Sequence, residues 1–107
     1  MPLRYGINIV MNVEQLIKAD DICLGYGLTG IRQRKIVLAF MESEQKKLDF
    51  TDLSVRANIP KAAVSRALDV LFTLDIAKRT VNQDHHLKRW VHLAARGNQL
   101  AEQLRGK

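Results

Sequence analysis

The sequence predicts a mainly α-helical domain that carries a small β-hairpin. Three observations lead there. Apolar residues recur at helical spacing over residues 12–44 and again over 53–74, they switch to alternation over 76–93, and helical spacing returns over 94–105. A chain of 107 residues has room for one domain. Its 47% apolar and 26% charged residues exclude a disordered or fibrous class. So small a core leaves much apolar surface uncovered, which makes a partner subunit an expectation from the start.

Taken in order, Leu3, Tyr5, Ile7 and Ile9 alternate with Arg4, Gly6 and Asn8, a weakly strand-like segment that must dock on something. Asn12 is placed to cap a short helix with Val13, Leu16 and Ile17 on one face and Asp20 and Asp21 near its end. Gly25, Gly27 and Gly30 break the pattern. Thr29 is placed to cap the next helix, about 30–44. Ile31, Lys35, Leu38 and Met41 lie along one side of it, and Ile36, Val37 and Phe40 widen the apolar stripe. The polar stretch from Glu42 to Lys47 ends it.

Thr51 is the next capping residue, with Phe50 and Val55 spaced for a hydrophobic staple. Asn58-Ile59-Pro60 then separates two helices. The residue before a proline avoids the helical region, while proline itself suits a first turn, so one helix stops near Ala57 and another starts at Pro60. Val64, Leu68 and Leu71 mark the buried side of this second helix, which ends near Leu74 and Asp75. Lys61, Ala62, Ser65, Arg66 and Asp69 face outward. Two short helices joined by a tight turn match the helix-turn-helix plan. Small side chains at the start of the second helix allow a duplex to come close, and Ser, Arg and Lys there can bond to bases or phosphates.

A hairpin follows. Ile76 to Val81 reads as one strand and Asn82 to His86 as a turn. Leu87, Arg89, Val91 and Leu93 then alternate with Lys88, Trp90 and His92 in a second strand. Arg79, Lys88 and Arg89 make this wing basic, and Trp90 is expected to pack on a neighbouring helix. Leu100, Ala101 and Leu104 set the register of a last helix, about 94–105.

Charge is unevenly distributed. Residues 1–53 carry seven basic and seven acidic groups and sum to zero, whereas residues 54–107 carry ten basic and four acidic groups, which is the whole net charge of +6. A basic face on the second half fits a polyanion partner, although charge alone leaves a generally solvated surface open. The single cysteine, Cys23, excludes an internal disulfide and a cysteine-rich zinc site. Lying in Ile22-Cys23-Leu24, it reads as a small buried hydrophobe. His85, His86 and His92 lack a completing cysteine or carboxylate cluster, so no metal is expected. No nucleophile with a base, paired acids or phosphate-cradling glycine loop appears, so neither catalysis nor a cofactor is expected. No stretch approaches the apolar length of a membrane span and the start lacks an export pattern, so a cytoplasmic protein is the expectation.

The run Leu53 to Arg79, followed by Asp84 and Leu93-Ala94-Ala95-Arg96-Gly97, resembles the winged helix-turn-helix of the MarR family of transcriptional regulators. Val64-Ser65-Arg66 matches the core of that family's recognition helix, Ile76-Ala77-Lys78-Arg79 its first wing strand, and Val91 to Gly97 its exit from the wing. Leu28-Thr29 and the helix after it match the start of the family's domain, so the likeness covers about residues 28–105. Departures are present. Ala94 replaces a capping threonine, Asp75 a glycine, and Pro60 a Ser or Thr cap. Asp84-His85-His86 stands for the wing's Asp-Arg-Arg, with Lys88 and Arg89 displaced along the second strand.

The resemblance implies a homodimeric regulator of transcription, a repressor, that binds double-stranded DNA. Its recognition helix (about 60–74) would enter the major groove beside a basic wing (about 76–93). Lys61, Ala62, Ser65, Arg66, Arg79, Lys88 and Arg89 are the candidate DNA-binding residues. Residues 1–27 form the expected dimerisation segment, with the last helix beside it, and residues 28–107 the DNA-binding domain. Whether a small-molecule effector exists stays open. A winged-helix adaptor for protein contact and a replication or plasmid-maintenance DNA binder remain as alternatives.

Overall fold

The computed structural model describes residues 12–80 and 89–106. The readings made for residues 1–11 and for the turn containing Asp84, His85, His86 and Lys88 lie outside the described residues. The elements in order are α1 (Val13–Gly25), α2 (Ile31–Glu42), β1 (Lys47–Asp49), α3 (Phe50–Ala57), α4 (Lys61–Thr73), β2 (Ala77–Arg79), β3 (Trp90–Leu93) and α5 (Ala95–Leu104). The three strands form one antiparallel sheet in the order β1-β3-β2. This is a winged helix-turn-helix: α3 and α4 are the two helices of the motif and the sheet is the wing.

Three of the helices stop by the same device, and each stop aims the next element. In each, a residue with left-handed backbone follows the last turn, and two crossed backbone bonds close it. At the end of α1 the residue is Gly27 (φ 87°), with Leu28 N–H donating to Cys23 C=O at 2.9 Å and Gly27 N–H to Leu24 C=O at 3.0 Å. At the end of α3 it is Asn58 (φ 55°), with Ile59 N–H on Ser54 C=O, and the Ser54 hydroxyl returns a 2.7 Å bond to Ile59 C=O. At the end of α4 it is Asp75 (φ 61°), with Ile76 N–H on Leu71 C=O and Asp75 N–H on Phe72 C=O. Glycine, asparagine and aspartate tolerate this conformation best. Asn58 and Ile59, followed by Pro60, therefore make the turn of the motif.

The core lies between α2, α3, α4 and the inner face of the sheet. Ile36, Leu48, Leu53, Val64, Leu68, Leu71, Ile76, Val91 and Leu100 are all fully enclosed. Val64, Leu68 and Leu71 are the residues that the spacing predicts on the buried side of α4. Alternation along β3 places Val91 inward, paired with Leu48 on β1.

The joint after α4 holds α4, the wing and α5 together. Ile76 C=O accepts the Ala94 N–H at 2.8 Å. A Cβ added at Gly97 would collide with that same carbonyl oxygen, so only glycine fits. Beside it, the Arg96 guanidinium donates to Leu74 C=O at 2.8 Å and to Tyr26 C=O at 3.2 Å, and stacks 4.9 Å from the Tyr26 ring centroid. The last carbonyls of α1 and α4 are thus tied by one cation.

Several expectations from sequence are corrected. Asn12 caps α1 as expected, accepting from Gln15 N–H at 2.8 Å. Val13, Leu16 and Ile17, on one face of it, are 70%, 54% and 56% exposed. Gly30, not Thr29, is the first-turn cap of α2, and its N–H donates to the Gln33 side chain. Ile31 and Leu38 are exposed, because the buried stripe of α2 is Ile36, Val37, Ala39 and Phe40 on the opposite side. Asp49, not Thr51, caps α3: extended chain ends at Asp49, whose carboxylate accepts from Asp52 N–H at 2.7 Å. Phe50 consequently lies inside the helix and Val55 is exposed, so no staple forms. The polar stretch from Glu42 to Lys47 runs into a strand that the sequence reading does not expect, β1, which begins at Lys47. Trp90 meets Lys47 of that strand, with Nζ 5.0 Å from the ring centroid.

Cys23 is buried as expected, beside an apolar cavity of about 350 Å³ between α1 and α2 that Leu16, Val37 and Met41 also line. The Arg34–Asp20 ion pair borders that cavity. Burial pushes the Cys23 thiol up from its ordinary value; Arg34 opposes the shift and Asp20 adds to it.

Two outcomes follow. Gly97→Ala should lower the unfolding free energy by about 1–3 kcal/mol through overpacking. Gly25→Ala, where the added methyl meets open space, should leave it unchanged or raised, as urea titration of both variants will show. Because a raised pKa leaves less thiolate at a given pH, Cys23 should react with an aromatic disulfide reagent at pH 8 at least tenfold more slowly than the same thiol in the urea-unfolded chain.

Candidate nucleic-acid interface

Helix α4 is divided lengthwise. Ala63, Val64, Ala67, Leu68 and Leu71 are buried, and Lys61, Ala62, Ser65, Arg66 and Asp69 are all exposed. The division follows from spacing alone, since residues three and four apart share a face. Pro60 precedes the helix without a side-chain cap. Ala63 N–H turns back to Pro60 C=O at 2.9 Å, and this turn lies at the positive end of the helix dipole.

An open groove of about 530 Å³ runs along this end of α4. It brings Lys61, Ala62 and Ser65 together with Arg89 from the base of the wing and Thr51 from the first turn of α3, and Phe50 and Asp49 complete its lining. The Arg89 guanidinium lies 5.7 Å from the Phe50 ring centroid, within cation–π range. That contact holds an otherwise flexible cation beside the start of α4. The Asp49 carboxylate is engaged by the α3 cap. The groove therefore offers two cations, two hydroxyls and a small methyl side chain on a rigid frame. Those are the groups that bind phosphates and read base edges.

Of the seven candidate residues, four line this groove: Lys61, Ala62, Ser65 and Arg89. Arg66 is exposed on the same face of α4, one residue on. Arg79 is exposed but belongs to the other end of the helix, where its guanidinium lies 5.2 Å from the Phe72 ring centroid. Lys88 lies outside the described residues. Sequence reasoning misses Thr51 and Phe50 as parts of the groove, because it gives Thr51 to capping. The signal that frees Thr51 is the second capping candidate, Asp49, with Asp52 three residues later.

His92 pairs with the Thr80 hydroxyl across the sheet at 2.6 Å. Among the described residues no group of three His, Cys, Asp or Glu side chains is placed to hold a metal ion. Among them, too, no helix is long and apolar enough to cross a membrane.

Neither a protein-family model nor a curated protein matches the chain. Solved structures do. The chain is similar to MepR of S. aureus in a DNA complex, with a TM-score of 0.74 at 19% identity over 87% of this chain and 74% of that one. It is similar to NadR in complex with 4-hydroxyphenylacetate, with 0.69 at 21% identity over 99% and 77%. It is also similar to the MarR family transcription regulator SP03579, with 0.68 at 18% identity over 88% and 62%. These likenesses establish the winged helix-turn-helix fold and agree with the family resemblance read from the sequence.

Proposed function

We propose that the chain is a sequence-specific regulator of transcription that binds double-stranded DNA as a homodimer and acts as a repressor by occluding a promoter. The observation that carries this reading is the groove at the start of α4, where Lys61, Ala62 and Ser65 stand exposed beside Arg89. Lys61 contacts a phosphate, Ser65 and Arg66 reach base edges or fix the register, and Arg89 with Lys88 and Arg79 follows the backbone beside the wing. The solved MepR structure of the same fold is a complex with DNA, which supports the reading. Such a protein works in the cytoplasm, needs no cofactor and catalyses nothing.

The dimer surface is assigned to residues 1–27 together with the last helix. Support comes from α1, which leaves Val13, Leu16, Ile17 and Leu24 exposed at 48–70% with no role in this chain's own core. Helical spacing puts Val13, Leu16, Ile17 and Leu24 in one stripe. Pairing two copies there would set two recognition helices in successive major grooves, about 34 Å apart.

Two experiments test this. Selection of bound fragments from genomic DNA should return sites that overlap promoters. On the selected duplex, Lys61→Ala with Arg66→Ala should weaken binding at least a hundredfold and lower the salt exponent by roughly 0.9 for each phosphate no longer neutralised. Absence of duplex binding at low salt would favour the adaptor reading, and sites at replication origins the replication reading. Leu16→Glu with Ile17→Glu should shift the mass measured by light scattering from dimer to monomer while the circular dichroism of the helices persists.

A further inference from the structure

The wing has two faces, and the groove uses one of them. Strand register decides which side chains share a face. Val91 pairs with Leu48 and Arg79, and this row looks inward, towards the core and α4. His92 pairs with Lys47 on one side and Lys78 on the other, and this row looks out. Lys47 and Lys78 are exposed and His92 is half-buried between them. Trp90 shares the outward side, under the Lys47 ammonium.

The outer row borders a concavity of about 690 Å³ between the sheet, α5 and the loop after α2. Lys46, Lys47, His92 and Arg105 stand around it, and Phe40 and Leu93 line its apolar inner edge, where it meets the core. Glu44 borders this face, Asp75 stands 3.8 Å from Lys78, and Asp49 pairs with Trp90 in the outward register, its carboxylate engaged by the Asp52 N–H. The four permanent cations Lys46, Lys47, Lys78 and Arg105 outnumber these three carboxylates without any contribution from His92.

We propose that this outer face is a second binding surface for the sugar–phosphate backbone of DNA, distinct from the α4 groove. Exposed lysines and an arginine match phosphates. The apolar inner edge matches the weakly polar edge of deoxyribose. Flexible lysine ammoniums without a planar donor array give attachment without sequence choice. Because the two surfaces lie on opposite sides of one sheet, a straight duplex held in the groove leaves the outer face free for a second segment. One chain then bridges two stretches of DNA, one chosen by sequence and one not. The bridging role rests on the DNA reading of the α4 groove; the outer-face contact does not.

The test uses the full chain, a bead-bound duplex of the selected sequence and a second, fluorescent duplex of unrelated sequence. The outer-face variant is Lys46→Gln, Lys47→Gln, Lys78→Gln, which leaves Arg105 and its 3.2 Å bond to Met41 C=O in place; circular dichroism checks its fold. This variant should bind the first duplex as before, yet capture of the second should fall at least tenfold. Its salt exponent on unrelated duplex should drop by roughly 2.7, or 0.9 per lysine. Unchanged capture and exponent overturn the proposal, including any capture by the two grooves of a dimer. So does a face that holds polyglutamate while its variant binds duplex undiminished, which would mark an acidic protein as the occupant. Failure of the groove reading looks different: Lys61→Ala with Arg66→Ala then binds duplex like the parent chain, and only the outer-face variant binds it less.

Discussion

The direction of α4 depends on what happens at Ile76. Its N–H closes the last turn of α4, and its C=O accepts the Ala94 N–H at the exit from the wing. Gly97 lies against that carbonyl, closer than any side chain would allow. Both strands of the hairpin and the first turn of α5 are thereby referred to one peptide unit at the end of α4. Arg96 extends the joint to α1 through the carbonyls of Leu74 and Tyr26. Helix and wing consequently move as one body, so a groove built from α4 and Arg89 keeps its shape. Binding groups fixed in this way lose little freedom when a ligand arrives.

The same joint explains why parts of the fold are legible in the sequence. Where a backbone demand admits few residue types, the residue announces the structure. Asp75 and Asn58, both with positive φ, stand at helix ends that the sequence predicts, and Ile59-Pro60 marks the start of α4. The buried stripe of α4 follows from the 3.6-residue period. The third strand is illegible because Lys47–Asp49 carries only one buried side chain, Leu48. Its strand character comes from the partner His92-Val91-Trp90 across the sheet, which no local pattern encodes. On α2 and α1, apolar residues sit on both sides, so periodicity does not say which side faces this chain's core. Ile31, Leu38, Leu16 and Ile17 fall on the side that does not.

The candidate site is legible to a similar degree and for similar reasons. Lys61, Ala62, Ser65 and Arg66 can be found because outward positions on an amphipathic helix follow once the inward ones are known. Arg89 follows from strand alternation next to Val91. The contribution of α3 does not, since Asp49 and Thr51 compete for one capping role and only the path of β1 into α3 decides between them. Arg79 and Arg89 both belong to the wing but sit on different rings, Phe72 and Phe50.

Charge asymmetry and uncovered apolar surface are two sides of one constraint. Desolvating a cation is expensive, so a surface meant to be buried against a second protein copy does best without excess charge. The neutral first half of the chain holds α1, with its exposed Val13, Leu16 and Ile17. The second half holds the whole positive excess and supplies Lys61 and Arg89 to the groove. A polyanion, by contrast, rewards cations that stay partly hydrated, because release of its counterions contributes much of the binding free energy. In the proposed dimer, separating the two demands along the sequence would let α1 associate without burying lysines and let the wing and α4 remain cationic without repelling a second subunit.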